Sequence, residues 1–122
     1  MAGSILVVED DRDLRECLVD VLRAELPELD VRHAANGREA LAAIDERAPA
    51  LVLLDMFMPV MNGEELLGEL DRRHPGAEPR VVILSAGDDE RSAARPVRVV
   101  GSLRKPVHVD ELLEAVQRWS AR

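Results

Sequence analysis

The chain has 122 residues, of which 47% are hydrophobic but only 2% aromatic, so it fits one domain whose core is built from aliphatic side chains. Its net charge of -8 argues against non-specific nucleic-acid binding, because a phosphate backbone requires a basic surface. The sequence contains no signal peptide and no apolar run of membrane length, which favours a cytoplasmic location without membrane contact.

Short aliphatic runs alternate with amphipathic stretches along the chain. The runs lack polar alternation, as do the strands of a parallel sheet that is covered on both faces. The predicted strands are Ser4–Val8, Asp30–Ala34, Leu51 to Leu54, Arg80 to Leu84, and Val99–Arg104. Apolar residues at helical spacing between and after them predict helices that contain Leu14, Leu18 and Leu22, then Ala40 and Ile44, then Leu66 and Leu70, then Leu112 and Val116. The alternation predicts a doubly wound α/β sandwich with a five-stranded parallel sheet.

Two local features of the helices carry expectations of their own. Cys17, the one cysteine, lies on the apolar face of the first helix, where we expect it to be buried as a small hydrophobic residue. Pro96 interrupts the segment before the fifth strand, because proline lacks a backbone donor and clashes with the preceding turn. We therefore expect a shortened or irregular fourth helix, from about Glu90 to Arg95.

Charged and polar residues stand at the carboxyl ends of four predicted strands. They are Glu9, Asp10 and Asp11 after the first, Asp55 after the third, Ser85 after the fourth and Lys105 after the fifth. Ligand sites of open α/β sheets lie at this edge, so these side chains should converge. Clustered acids repel one another unless a cation joins them, and their oxygen atoms suit Mg²⁺. Together with a lysine and a hydroxyl, such a site suits phosphoryl transfer.

Each of these residues also has a simpler interpretation. Asp11 suits the N-cap of the first helix. Ser85 taken alone is an ordinary loop hydroxyl, and Lys105 taken alone is a solvated charge. Asp55 is harder to explain in this way, because it lies between an apolar strand and the apolar residues that follow it.

Four motifs occur in a fixed order along the chain: ILVVEDD, LVLLDMFMPVMNG, VILSA and LRKP. Over essentially its whole length, the sequence resembles the receiver domain of bacterial two-component response regulators, including those of chemotaxis. The resemblance implies a (βα)5 flavodoxin-like fold and a cis peptide bond between Lys105 and Pro106. It also implies a phosphoacceptor rather than an enzyme, with Asp55 taking a phosphoryl group from a histidine kinase or histidine phosphotransfer protein. We expect residues 1–122 to form a single receiver domain with no output domain.

The resemblance also implies the other site residues. Asp10 and Asp55 would bind Mg²⁺ directly, Phe57 would bind it through its backbone carbonyl, and Glu9 would act through water. Ser85 and Lys105 would contact the phosphoryl group after transfer. These groups would respond to the new charge and change the surface that a downstream protein recognises.

The output face departs from the family pattern. Receivers carry an aromatic residue three positions before the lysine, and here that residue is Ser102. The last helix, Val109–Ser120, carries Trp119, which suits either core packing or a docking surface. The phosphorylation chemistry looks intact while the signalling face looks remodelled, and bulky Phe57 beside the acceptor would shield an acyl phosphate from water.

Two other functional classes fit parts of the pattern. A metal-dependent enzyme of the topoisomerase-primase type would need a second acid after the third strand, where the sequence has Asp55, Met56 and Phe57. A haloacid-dehalogenase-type phosphatase would need an Asp-x-Asp motif after the first strand. A pure interaction module that has lost phosphorylation would not need to keep Asp10, Asp55, Ser85 and Lys105 together.

Overall fold

The structure, a computed structural model, describes residues 3–86 and 96–120. Strands and helices alternate along the first described range. The strands are β1 (Ser4–Val8), β2 (Asp30–Ala34), β3 (Leu51–Asp55), β4 (Arg80–Ser85) and β5 (Val99–Arg104), and the helices are α1 (Arg12–Glu25), α2 (Gly37–Glu46), α3 (Gly63–Arg73) and α4 (Val109–Ser120). Within these ranges no helix combines the length and the apolar character that a membrane span requires.

The five strands form one parallel sheet in the order β2-β1-β3-β4-β5. This order confirms the predicted doubly wound, flavodoxin-like fold. The chain proceeds outward from β1 in one direction through β2 and in the other through β3, β4 and β5. The strand order therefore reverses between β1 and β3, the point where open α/β sheets bind ligands.

Two aliphatic cores lie on opposite faces of the sheet. Residues Ile5 and Val7 of β1 belong to the core under α1 and α4, whereas Leu6 and Val8 belong to the core under α2 and α3. Successive side chains of a strand point to opposite faces, so a strand covered on both sides must be continuously apolar. The central strands β1 and β3 meet this requirement, which is why they were recognisable from the sequence.

Side-chain caps define where three of the helices begin. Asp11 accepts a hydrogen bond from the Leu14 backbone N–H, which confirms its predicted role as the N-cap of α1. Asn36 caps α2, and Asn62 forms a capping box with Glu65 at the start of α3. Such caps typically contribute about 1 kcal/mol each, and here they also set where the loops beside the strand ends stop.

The prediction that Cys17 is buried is wrong, because this cysteine is exposed. The buried stripe of α1 consists of Leu18, Val19 and Leu22. Each helical residue is rotated by about 100° from the next, so Cys17 lies outside the side of the helix that faces the sheet. A pattern of apolar residues locates such a stripe only to within about one residue.

The remaining expectations about the fold have mixed outcomes. β3 and β4 each extend one residue further than predicted, so Asp55 and Ser85 are the last residues of their strands. Trp119 is half-buried and packs against the core under α1 and α4, in agreement with the core-packing alternative. The predicted helix from Glu90 to Arg95 lies outside the described residues. The peptide bond between Lys105 and Pro106 is cis, as predicted.

Candidate acidic site at the carboxyl edge of the sheet

Three carboxylates meet where the strand order reverses. Glu9 and Asp10 follow β1, and Asp55 ends the neighbouring strand β3. One carboxylate oxygen of each residue lies within 4.8 Å of the others. The expected convergence is therefore confirmed for Glu9, Asp10 and Asp55, whereas the Asp11 carboxylate caps α1 instead.

Glu9 is fully buried and Asp55 is 4% exposed, whereas Asp10 is exposed. The two oxygens of Glu9 have different surroundings. Oε2 accepts a hydrogen bond of 3.2 Å from the Asp11 backbone N–H. Oε1 has no aligned hydrogen-bond donor among the residues that the structure describes. A buried carboxylate oxygen in this condition is costly unless a cation balances its charge.

Lys105, the residue directly after β5, supplies a cation to this cluster. Its Nζ lies 3.1 Å from Glu9 Oε1 and 3.6 Å from Asp55 Oδ1. The contact with Glu9 is an ion pair without good hydrogen-bond alignment, since Oε1 has no aligned donor. The Lys105 backbone N–H donates to the Ser85 carbonyl at 2.7 Å, which fixes the start of the loop after β5 to the end of β4.

Burial dominates the electrostatics of the two carboxylates. It raises the pKa of Glu9 from 4.5 to about 7, although Lys105 and the Asp11 N–H act in the opposite direction. Burial also raises the pKa of Asp55, against the hydrogen bond from the Phe57 N–H. For Lys105, burial lowers the pKa, but the carboxylates of Glu9 and Asp55 outweigh it and the pKa lies above 10.5.

The loop after β3 shapes the surroundings of Asp55. The Phe57 N–H donates to Asp55 Oδ1 at 3.2 Å, and the Phe57 side chain is 64% exposed beside the acid. The Gly63 N–H donates to the Met56 carbonyl at 3.0 Å, which closes the loop. The remaining site residue, Ser85, is 5% exposed at the end of β4, the strand next to β3.

The donor set fits a hard divalent cation. Three carboxylates face one volume, the cluster carries more negative than positive charge, and Glu9 Oε1 has no aligned donor in the described part of the chain. Mg²⁺ prefers such oxygen ligands and retains several waters. Binding of a dication would also remove the electrostatic cost that raises the pKa of Glu9 and Asp55.

The sequence did not reveal the contacts that hold the turn after β1 and the loop after β3. Arg15 donates to the Glu9 carbonyl at 2.8 Å. Val60 has a φ of 70°, and the Met61 N–H donates to the Pro59 carbonyl across it at 2.7 Å, which defines a γ-turn. Gly37 donates to the Met61 carbonyl at 2.9 Å, and a side chain at Gly37 would collide with that carbonyl. A positive φ at Val60 could not be predicted from the sequence, because a β-branched residue rarely adopts one.

Comparison with known proteins agrees with this fold and site. The family model for the response regulator receiver domain matches residues 5–117. A response regulator receiver protein of Anaeromyxobacter sp. (strain Fw109-5) is 40% identical over 109 residues, which are 89% of this chain and 45% of that protein. The chain spans about half the length of the first curated relatives that it matches.

Solved structures show the same similarity. The receiver domain of NtrX from Brucella abortus superposes with a TM-score of 0.80 at 35% identity, covering 93% of this chain and 95% of that one. The chemotaxis response regulator CheY4 of Vibrio cholerae gives a TM-score of 0.84 at 26% identity, covering 97% and 98%.

The chain belongs to the response regulator receiver domain family of two-component systems. Members of this family are generally phosphoacceptors rather than catalysts, and they interact with histidine kinases or phosphotransfer proteins. Family membership therefore favours the receiver interpretation over both enzyme alternatives that the sequence left open.

Proposed function

We propose that this domain accepts a phosphoryl group on Asp55 from a phosphohistidine and signals the change through protein contacts. The observation that carries the proposal is the position of Asp55, a nearly buried carboxylate 3.6 Å from the Lys105 ammonium and grouped with Glu9 and Asp10. An acid buried among other acids serves no obvious structural purpose, whereas phosphoryl transfer needs a carboxylate nucleophile among cations.

In the transfer, one Asp55 carboxylate oxygen forms a bond to phosphorus. The bond between phosphorus and the donor imidazole nitrogen breaks, and its electron pair stays on that nitrogen. Lys105, already beside Asp55, balances charge on the phosphoryl oxygens and restricts the direction from which the donor approaches. The exposed edge of the acidic cluster at Asp10 leaves room for the donor protein.

The acidic cluster would hold Mg²⁺. Asp10 and Asp55 would be direct carboxylate ligands, Phe57 would contribute its backbone carbonyl, and Glu9 would act through water. When bound, the ion supplies positive charge to the phosphoryl oxygens. Glu9 Oε1, which the described residues leave without an aligned donor, is suited to a metal-bound water.

Phosphorylation would then act as a switch. The added group brings roughly -1.5 to -2 charges and three acceptor oxygens to Asp55. The hydroxyl of Ser85, at the end of β4, would donate a hydrogen bond to a phosphoryl oxygen, and Lys105 would exchange its contact with Glu9 for one with a phosphoryl oxygen. Because Ser85 ends β4 and Lys105 directly follows β5 at the same edge of the sheet, their shifts would alter the adjacent loops and the face of β5 and α4.

The output partner would be a downstream protein that recognises this altered face. Ser102 is exposed on β5, and it lines a groove with Gly101 and Trp119 where other receivers have an aromatic side chain. The same observation favours a second candidate, an interaction module that binds its partner regardless of phosphorylation.

We propose a cytoplasmic location and no nucleic-acid contact by this domain, in accordance with its net charge.

Mass spectrometry of the intact protein after incubation with acetyl phosphate tests the function. We expect one added phosphoryl group with Mg²⁺ and none after chelation. Asp55→Asn should abolish the addition, whereas Asp20→Asn, a change of an exposed acid on α1, should not. A wild-type protein that takes no phosphoryl group from acetyl phosphate or from phosphorylated kinase would support the interaction module instead. An Asp55→Asn protein that is still phosphorylated would refute the role of Asp55.

A further inference from the structure

A guanidinium group holds the turn that carries two of the acids. Arg15 lies in the first turns of α1 and is half-buried. Its Nη1 donates to the Glu9 carbonyl at 2.8 Å and lies 3.5 Å from the Asp10 carbonyl. The side chain thus reaches back from the helix to the end of β1, across the turn that leads to Asp11.

Two N–H groups of this turn are also hydrogen-bonded. The Glu9 N–H donates to the Ala34 carbonyl at 3.1 Å, and the Asp11 N–H donates to Glu9 Oε2 at 3.2 Å. Arg15 complements them by holding the carbonyl groups of the Glu9–Asp10 and Asp10–Asp11 peptide units, which lie on either side of Asp10. When the peptide units on both sides of a residue are fixed, the direction of its Cα–Cβ bond is fixed too.

We propose that Arg15 is a positioning residue for the divalent-cation site, which it serves by fixing the backbone from which the Glu9 and Asp10 carboxylates project. The inference rests on the proposed function, because it concerns the same site. Arg15 would touch neither the cation nor the phosphoryl group. Groups that orient metal ligands in this way typically contribute 10- to 100-fold to metal affinity.

The sign of the effect separates positioning from simple electrostatics. A positive charge near a cation site repels the cation, so removing the charge of Arg15 would tighten Mg²⁺ binding if charge alone mattered. Removing a group that orients the ligands would weaken Mg²⁺ binding. A merely structural role would lower the free energy of unfolding and leave the affinity of the folded protein unchanged.

Arg12 provides a matched control on the same helix. It carries the same charge, begins α1 and pairs with Glu16 through its Nε at 3.1 Å on the exposed surface. Isothermal titration calorimetry with Mg²⁺ would compare wild type, Arg15→Gln, Arg15→Lys and Arg12→Gln at one ionic strength. We expect Arg15→Gln to raise the dissociation constant about 10-fold and Arg12→Gln to leave it unchanged or lower it slightly.

Arg15→Lys distinguishes the effect of the several guanidinium donors from the effect of the positive charge. It also provides a test of the inference if Arg15→Gln does not fold. It keeps the charge but has a single flexible ammonium group, so the dissociation constant should rise by a smaller factor than for Arg15→Gln. Equal Mg²⁺ affinity in Arg15→Gln and Arg12→Gln, or tighter binding in Arg15→Gln, would overturn the inference. Failure of the proposed function would appear separately, as a wild-type protein that binds Mg²⁺ but accepts no phosphoryl group.

Discussion

Lys105 and Glu9 form an ion pair across the sheet edge, with Nζ 3.1 Å from Oε1 and the Glu9 side chain only 1% exposed. Lys105 is also the single lysine of the chain. The pair joins the end of β1 to the loop after β5, and Asp55 lies between these strands in the sheet order. A change of charge at Asp55 must therefore alter the strength of the ion pair between Glu9 and Lys105.

We expect Lys105→Met to destabilise the protein in a pH-dependent way. At pH 8 Glu9 is ionised in the wild type, and removing the lysine leaves its buried charge without the ammonium. The loss should be about 2 kcal/mol, below the value for a fully buried pair because Lys105 is 27% exposed. At pH 5 Glu9 is protonated and the loss should be smaller.

Urea unfolding of the metal-free protein at the two pH values measures this difference. Arg118→Met, which removes an exposed cation from α4, is the control and should cost less than about 0.5 kcal/mol at both pH values. An equal loss at pH 5 and pH 8 for Lys105→Met would show that the lysine stabilises the fold by packing rather than by its charge.

The raised pKa of Glu9 predicts that the metal-free protein loses stability as the pH rises from 4.5 to about 7. In this window the folded state holds the Glu9 proton and the unfolded state does not, so the free energy of unfolding falls with increasing pH. With about 1.36 kcal/mol per pKa unit, the contribution of Glu9 is on the order of 3 kcal/mol at most. Mg²⁺ should reverse part of the loss above pH 7.

Glu9→Gln isolates this contribution, since the amide does not titrate. The raised pKa of Asp55 acts in the same direction, so the measured quantity is the difference between wild type and variant across the pH range. We expect a flatter pH profile for Glu9→Gln in chelator, from thermal or urea unfolding. Parallel profiles would contradict the assignment to Glu9.

Val60 is 68% exposed and has a φ of 70°, which is unfavourable for a β-branched residue. Val60→Gly relieves this strain at a small cost in chain entropy, and it loses little packing because the side chain is largely exposed. We expect an increase of about 1 kcal/mol in the free energy of unfolding. Val97→Gly is the control, because Val97 is similarly exposed but has no positive φ, and it should not stabilise the protein.

Arg98 is fully buried just before β5 and holds the end of α3 against the loop before β4. Its Nη1 donates to the Glu78 carbonyl at 2.8 Å and its Nη2 to the His74 carbonyl at 2.5 Å. Arg98→Met should lower the free energy of unfolding by about 3 kcal/mol, because several buried carbonyls lose a charged donor. Arg72→Met, at an exposed position on α3, should have a minor effect. Mg²⁺ affinity should be unchanged in folded Arg98→Met, because Arg98 contacts no site residue among those described.

The pattern of the sequence determined the sheet and the place of the site. Continuous aliphatic strands can be buried only between two layers, and parallel strands present their carboxyl ends at one edge. The convergence of Asp10, Asp55 and Lys105 follows from these rules. The roles of these residues in metal binding and phosphoryl transfer remain predictions.

Tertiary structure alone decided how deeply each side chain is buried and which distant backbone groups it reaches. Three features depend on where a helix lies against the sheet. They are the burial that raises the pKa of Glu9, the contacts of Arg15 and Arg98 with backbone carbonyls, and the exposure of Cys17. Residues one position apart on a helix differ by about 100° in direction, and backbone acceptors carry no residue identity that a sequence pattern could show.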